Sequence, residues 1–147
     1  MKVPMTKSCG QCVTFAAALM ICSMTSPVHA ADLIVKIAGM KTSEGSIRVG
    51  LFNTSAGFPK KQLRGELIEA KPGTVTAVFK DVPAGTYAVS AFQDINGNEK
   101  LDTNSFGKPI EPYGFSRNAR GMFGPPSFDE AAFNVGQRAS TIEFKLK

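Results

Sequence analysis

Five oxygen-bearing side chains fall within nine residues of this chain, four of them in a spaced series. The stretch Asp94-Ile95-Asn96-Gly97-Asn98-Glu99-Lys100-Leu101-Asp102 presents Asp94, Asn96, Asn98 and Asp102 at alternating or near-alternating positions, with the Lys100 carbonyl between the last two. Loops that wrap a hard cation such as Ca²⁺ use this spacing, because alternate residues of a tight turn point their oxygens to one centre. With Asp94 as the first ligand, Asn96, Asn98, the Lys100 carbonyl and Asp102 follow as the third, fifth, seventh and ninth, and Leu101 can anchor the loop to a core. Two parts of a complete calcium loop are absent. Glu99 stands where a glycine makes the sharp turn, and Ser105 stands where a bidentate glutamate closes the shell. Glu111, a little downstream, is a candidate for the missing carboxylate. The same residues also make a good turn without metal, since Asp and Asn bond their own backbone and Asn96-Gly97 is a strong chain-reversal signal. Both readings stand at this point. Glu111 would close a cation site, whereas Arg117 or Arg120, paired with Asp94, Asp102 or Glu111, would take the place of the cation.

The segment that follows has its own chemistry. Residues 103–129 are rich in Gly, Pro and aromatic residues and show little periodicity. Long loops inside compact domains are uncommon and are often functional or disordered. A disordered segment would not carry Phe106, Tyr113, Phe115, Phe123 and Phe128, so an ordered excursion is expected. Tyr113 and Phe115 offer flat contacts, Arg117 and Arg120 suit carboxylate or phosphate, and Asn118 suits hydroxyl groups. These five are the candidate ligand-binding residues. The competing role for the same rings is to plug one end of the fold as a local core.

The residue inventory removes most enzyme classes. Lys2 and Lys7 precede an apolar run at residues 13–24, Pro27 breaks it, and Val28-His29-Ala30 forms a cleavage site, so residues 1–30 read as a secretory signal peptide and residues 31–147 as one domain. The apolar run is short for a membrane span. All three cysteines (Cys9, Cys12, Cys22) and the one histidine (His29) lie in that signal. The 117 residues that remain therefore contain no His, Cys or Trp. They exclude Ser-His-Asp and Cys-His catalysis, an ordinary zinc site and any disulfide. No P-loop, Rossmann or G-x-S-x-G pattern is present. What remains is a carboxylate pair from Asp94, Asp102 and Glu111, of the kind used in glycoside hydrolysis. The signal carries two of the 17 basic residues and none of the 12 acids, so the net charge falls from +5 to +3, with basic residues scattered and no nucleic-acid stripe.

The elements that must position these groups are strands. Leu33/Val35/Ile37, Ile47/Val49/Leu51, Val75/Ala77/Phe79, Tyr87/Val89/Ala91 and Ile142/Phe144/Leu146 each alternate with period two. Residues 65–70 and 131–135 are candidates for two more, and residues 60–64 for a short helical turn after Pro59. The expected fold is all-β, a small immunoglobulin-like or transthyretin-like sandwich of about seven strands with one long ordered loop excursion. Strands this short, with Trp absent, argue against an outer-membrane barrel.

The segments GLFNTSAGFP, VPAGTYAVSAFQDINGNEKLDTN, KPIEPYGFSRNARGMFGPPSFDEAAF and TIEFKLK, in this order, resemble the bacterial secreted family DUF2141, a domain of unknown function. The resemblance covers nearly all of residues 31–147 and implies a secreted or periplasmic β-sandwich with no established activity. Members of that family usually read D-x-N-G-N-G-K-L-D in the turn, so Glu99 is a departure that bears on the loop conformation. The expectation is a non-enzymatic binding or accessory module, with Ca²⁺ as the candidate cofactor and an unidentified protein, small-molecule or glycan partner. A purely structural interaction domain without metal and a small glycosidase-like hydrolase are the alternatives. No nucleic-acid partner and no transmembrane anchor after cleavage are expected.

Overall fold

The structure is a computed structural model that describes residues 30–147. The expected signal peptide, with its cysteines and histidine, lies outside the described residues apart from Ala30. Eight strands form two facing sheets, where about seven were expected. They are β1 (Ala30–Met40), β2 (Ser46–Phe52), β3 (Arg64–Glu69), β4 (Gly73–Pro83), β5 (Gly85–Asp94), β6 (Tyr113–Phe115), β7 (Phe133–Val135) and β8 (Ser140–Lys145). One sheet has the order β4-β1-β8, and the other has the order β3-β2-β5-β6 with β7 also on β5. β1 pairs antiparallel with β4 and parallel with β8. The chain thus crosses repeatedly between sheets and closes a sandwich over one core.

The period-two residues supply that core. Leu33, Val35 and Ile37 from β1 meet Ile47, Val49 and Leu51 from β2, with Val75, Ala77, Phe79, Tyr87, Val89, Ala91, Phe144 and Leu146. Each strand gives its apolar face inward because successive side chains point to opposite faces. All of these core residues lie between Leu33 and Leu146.

β5 departs from simple alternation. Its residues Tyr87, Ala88 and Val89 are all buried. Ala88 faces away from the main core into a second apolar cluster with Phe115 and Ala131, against which Phe58, Tyr113 and Phe128 pack. The Phe58 ring stands edge-on to Phe52 at 5.1 Å and to Phe128 at 6.0 Å. Both faces of the sheet are therefore covered locally, and the alternation is lost there for that reason.

The same excursion returns to the strand it left. β7 pairs with Gly85, Thr86 and Tyr87 of β5, and β6 pairs with Ser90, Ala91 and Phe92 on that edge. Between them, Ser116 is fully buried. Its hydroxyl donates to the Ala131 carbonyl at 2.5 Å and accepts from the Val89 amide at 3.0 Å. One side chain thereby joins β5, the 3₁₀ turn Ser116–Asn118 and the short helix α1 (Phe128–Ala131).

Two local expectations need correction. Residues 131–135 are not one strand: Phe128–Ala131 is helical and only Phe133–Val135 is extended. The cause is a capping box, in which the Ser127 hydroxyl accepts from the Glu130 amide and the Glu130 carboxylate accepts from the Ser127 amide. Residues 60–64 do not form a helical turn either. The Lys60 and Lys61 amides both donate to the Gly57 carbonyl in a turn over residues 55–60, and Arg64 already opens β3.

Replacing Ser116 with Ala leaves the buried Val89 amide and Ala131 carbonyl without this partner. The expected loss of stability is about 1–3 kcal/mol in denaturant unfolding. A loss near zero would show that the hydroxyl does not pin the excursion.

Candidate functional site

Asp94 ends β5 and is the most buried charged residue among the described residues, with no exposed surface. A buried carboxylate is tolerated only when its oxygens are paired and hydrogen-bonded. Here Oδ2 accepts from Arg48 Nε at 2.7 Å and from the Glu99 amide at 2.9 Å, and Oδ1 accepts from the Asn98 amide at 3.1 Å. Arg48 comes from β2, where Ser46 pairs with Asp94, so the arginine reaches across diagonally from two residues along. Burial pushes the Asp94 carboxyl up, but the Arg48 guanidinium and the amides of Glu99 and Gly97 outweigh it and hold the group below its ordinary 3.8. The same pair, with Glu99, raises Arg48 above its ordinary value against a smaller opposing effect of burial.

The turn is laced by its own side chains. Asn96 Nδ2 and Asn98 Nδ2 donate to the two Asp102 oxygens at 2.6 and 2.8 Å. The carboxamide oxygens of Asn96 and Asn98 accept from the amides of Asn98 and Lys100. The Asp and Asn side chains expected to converge do so, while Lys100 takes part through its amide. Glu111 also reaches the turn, as its position suggested. Its buried carboxylate accepts from the Ile95 amide at 2.9 Å and the Asp102 amide at 3.0 Å, clamping both ends of the turn.

Glu99 holds a left-handed backbone with φ of 66°, the conformation for which a glycine is suited. That conformation costs a non-glycine residue about 1–2 kcal/mol. The Glu99 amide bond to Asp94 and its carboxylate bond to Arg48 Nη2 at 3.0 Å offset part of the cost. The departure from glycine at this position therefore keeps the turn and adds a second acid to Arg48.

The arginines expected at the turn do not reach it. Arg117 Nη1 donates to the Ala132 carbonyl at 3.2 Å, and Arg120 lines a separate cleft. Of the two alternatives it is Glu111 that reaches the turn, and the arginine found there is Arg48, 46 residues from Asp94 in sequence and adjacent through strand pairing. An outward-facing arginine in an alternating strand carries no signal of its partner. In this arrangement Asp102 accepts from two carboxamide nitrogens and Asp94 is bonded to Arg48. Among the described residues, no group of three or more His, Cys, Asp or Glu is placed to hold a metal ion.

The second feature is a cleft of about 510 Å³ beside the turn. Tyr113, Phe115, Asn118 and Arg120 line it, and Arg117 does not. Phe115 is largely buried beneath the Tyr113 ring, with centroids 5.9 Å apart. Asn118 is oriented by accepting the Lys145 amide at 2.9 Å, at a left-handed backbone position. Lys108, Lys145 and Lys147 also line the cleft, and sequence reasoning missed them because they come from three separate places in the chain. β6 and β8 approach closely at the cleft floor: a Cβ on Gly114 would stand 2.5 Å from the Lys145 carbonyl oxygen. Of the aromatic residues expected to plug this end, Tyr113, Phe115 and Phe128 pack, but Phe106 and Phe123 remain 95% and 99% exposed.

A two-sheet all-β domain with an Asp/Asn-rich turn and a long returning excursion is thus the class that fold and site define. The chain belongs to the bacterial family DUF2141, described as an uncharacterised protein conserved in bacteria, whose model matches residues 35–143. Neither a curated protein nor a solved structure matches it. Among the described residues, no helix is long and apolar enough to cross a membrane.

The depressed Asp94 value fixes the sign of a pH effect. Ionised Asp94 contributes stability in full above its unfolded value near 3.8, and that stability is lost as pH falls through the lower folded value. Thermal melts should show a wild-type advantage over Asp94→Asn at neutral pH that shrinks only below that point. An advantage unchanged across this window would mean that the carboxylate charge is not what holds the turn.

Proposed function

We propose that this chain is a secreted or periplasmic, non-enzymatic binding or accessory module that receives its ligand in the cleft beside the 94–102 turn. The observation that carries the reading is the cleft itself. Its lining joins one aromatic wall, Tyr113, to four basic residues, Lys108, Arg120, Lys145 and Lys147, with the buried Glu111 between them in sequence. Concave sites with a few convergent polar groups are where ligands bind. Cations of this kind suit carboxylate or phosphate oxygens.

The non-enzymatic part rests on the acids. A glycosidase-like pair needs one carboxyl kept protonated near neutral pH and another free to act. Asp94 is shifted the opposite way and bonded to Arg48, and both Glu111 oxygens hold backbone amides. Residues 31–147 supply no His or Cys to replace them.

The reading is tested by following backbone amide signals while small carboxylates, phosphates and sugars are titrated. The expected shifts are at Tyr113, Asn118, Arg120 and Lys145, with Tyr113→Ala weakening the response. Shifts confined to a sheet edge would favour instead a purely structural module that docks a partner there.

A second reading concerns calcium, and it is favoured by the convergence of Asn96 and Asn98 on Asp102. We propose that Ca²⁺ enters this turn only in competition with Arg48, whose positive charge stands against Asp94. Calorimetric titration should then show Arg48→Gln binding Ca²⁺ at least about tenfold more tightly than the parent chain, because a repelling charge within a few ångströms has been removed. Equal affinities would remove Arg48 from this role, and no heat in either protein at several millimolar would remove calcium.

A further inference from the structure

Two uncovered apolar tips rim the cleft. Residues 103–109 form a small hairpin, closed by a bridge between Thr103 and Pro109 and by the Gly107 amide donating to the Asn104 carbonyl. Phe106 stands at its tip, and Lys108, Pro109 and Ile110 continue from it into the cleft wall. The second tip lies between Gly121 and Gly124, which both line the cleft, and it presents Met122 and Phe123 at 91% and 99% exposure. A single exposed apolar side chain is ordinary. Three large ones on two loop tips, each adjoining residues that line one cleft, form a pattern with a specific complement.

Four basic residues line the cleft, against the buried Glu111 and the terminal carboxylate of Lys147. Lys108, Arg120, Lys145 and Lys147 make no ion pair among the described residues. Between residues 103 and 128 the only acid is Glu111, which is buried with both oxygens on backbone amides. A small soluble anion would use the cations and leave the tips in water. A single-stranded nucleic acid would use the cations and could stack on the two Phe rings, but Met122 and the exposed Ile110 offer no stacking face. A surface with anionic oxygens above hydrocarbon uses both sets of groups. Interfacial binding combines these two contributions, apolar insertion and attraction to anionic headgroups.

We propose that this face docks on an anionic lipid surface. The four cations meet the lipid phosphates, and the Phe106 and Met122-Phe123 tips enter the acyl boundary. The inference rests on the assignment of the cleft as the binding end and names the partner there.

The test uses residues 30–147, which hold the core described above and whose folding is first checked by a cooperative thermal melt, in sedimentation with phosphatidylcholine vesicles with and without phosphatidylglycerol. Binding is expected only where phosphatidylglycerol is present. Arg120→Gln combined with Lys145→Gln should lower the partition coefficient about thirtyfold. Met122→Ser combined with Phe123→Ser should lower it about tenfold or more. Both variants change exposed side chains, so matching melting temperatures confirm that folding is intact. Equal binding to uncharged vesicles, an unaffected tip variant, tighter binding to a single-stranded oligonucleotide, or no vesicle binding at all would each overturn the proposal. Inorganic phosphate separates the two levels of inference. If phosphate perturbs the cleft while vesicles do not bind, the cleft remains a binding site and the lipid surface is excluded. If neither phosphate nor vesicles bind, the lipid proposal falls, and the cleft assignment falls with it unless other small ligands shift it.

Discussion

The far end of this sandwich is organised by one buried carboxylate. Asp94 has no exposed surface, so its position must supply enough donors to replace water around both oxygens. Those donors come from two sources, Arg48 on β2 and the amides of Asn98 and Glu99 within the turn. The register between β2 and β5 and the shape of the turn are therefore satisfied together or not at all. A one-residue slip would place Arg48 on the opposite face and leave a charge without a partner. The connection before β2 is equally constrained, since a Cβ on Gly45 would fall 1.9 Å from the Asp94 carbonyl oxygen. Gln93 ties that connection down from the other side, with its carboxamide donating to Thr42 Oγ1 and the Glu44 carbonyl.

A fixed departure point makes a long excursion affordable in entropy. Glu111 clamps the turn through two amides and brings the chain back beside β5, where the Gln93 amide donates to the Pro112 carbonyl. From there β6 and β7 divide the free edge of β5 between them, and Ser116 pins the segment that joins them. An edge that would otherwise expose unpaired backbone groups is covered by the chain's own return. The cleft follows from this route. The excursion crosses from the edge of one sheet toward β8 of the other, close enough that the Gly114 position has no room for a side chain, and the groove is left between its two hairpin-like tips.

How much of this could be read in the sequence differs residue by residue. The alternating residues of β1, β2, β4, β5 and β8 were legible because burial on one face imposes period two, and those residues are the core. The convergence of Asp94, Asn96, Asn98 and Asp102 was legible because it is local. Arg48 was not, because its role depends on a strand register that one sequence does not display. The helix at Phe128–Ala131 could have been found: Ser127-Phe128-Asp129-Glu130 carries the cap and the reciprocal glutamate that start a helix. The aromatic residues of the excursion gave only a partial signal. Ring content marked the segment as ordered, but could not distinguish Phe115, which packs under Tyr113, from Phe123, which projects from a loop tip.

The acids and bases at this end have been sorted by environment. Asp94 is turned inward and paired with Arg48, which offsets its charge, and Glu111 is buried with both oxygens on backbone amides. The cations of the cleft remain at the surface without ion-pair partners among the described residues. A modest net charge thus conceals a local cluster of basic residues along this concave part of the surface. At physiological ionic strength the field of such a cluster is screened beyond about 8 Å, so it acts on a ligand already near the cleft and not on distant ones. Selectivity at that range depends on matching contacts and charge together. The apolar tips and the cations are therefore parts of one recognition surface, and removing either should change which partners it accepts as well as how tightly it holds them.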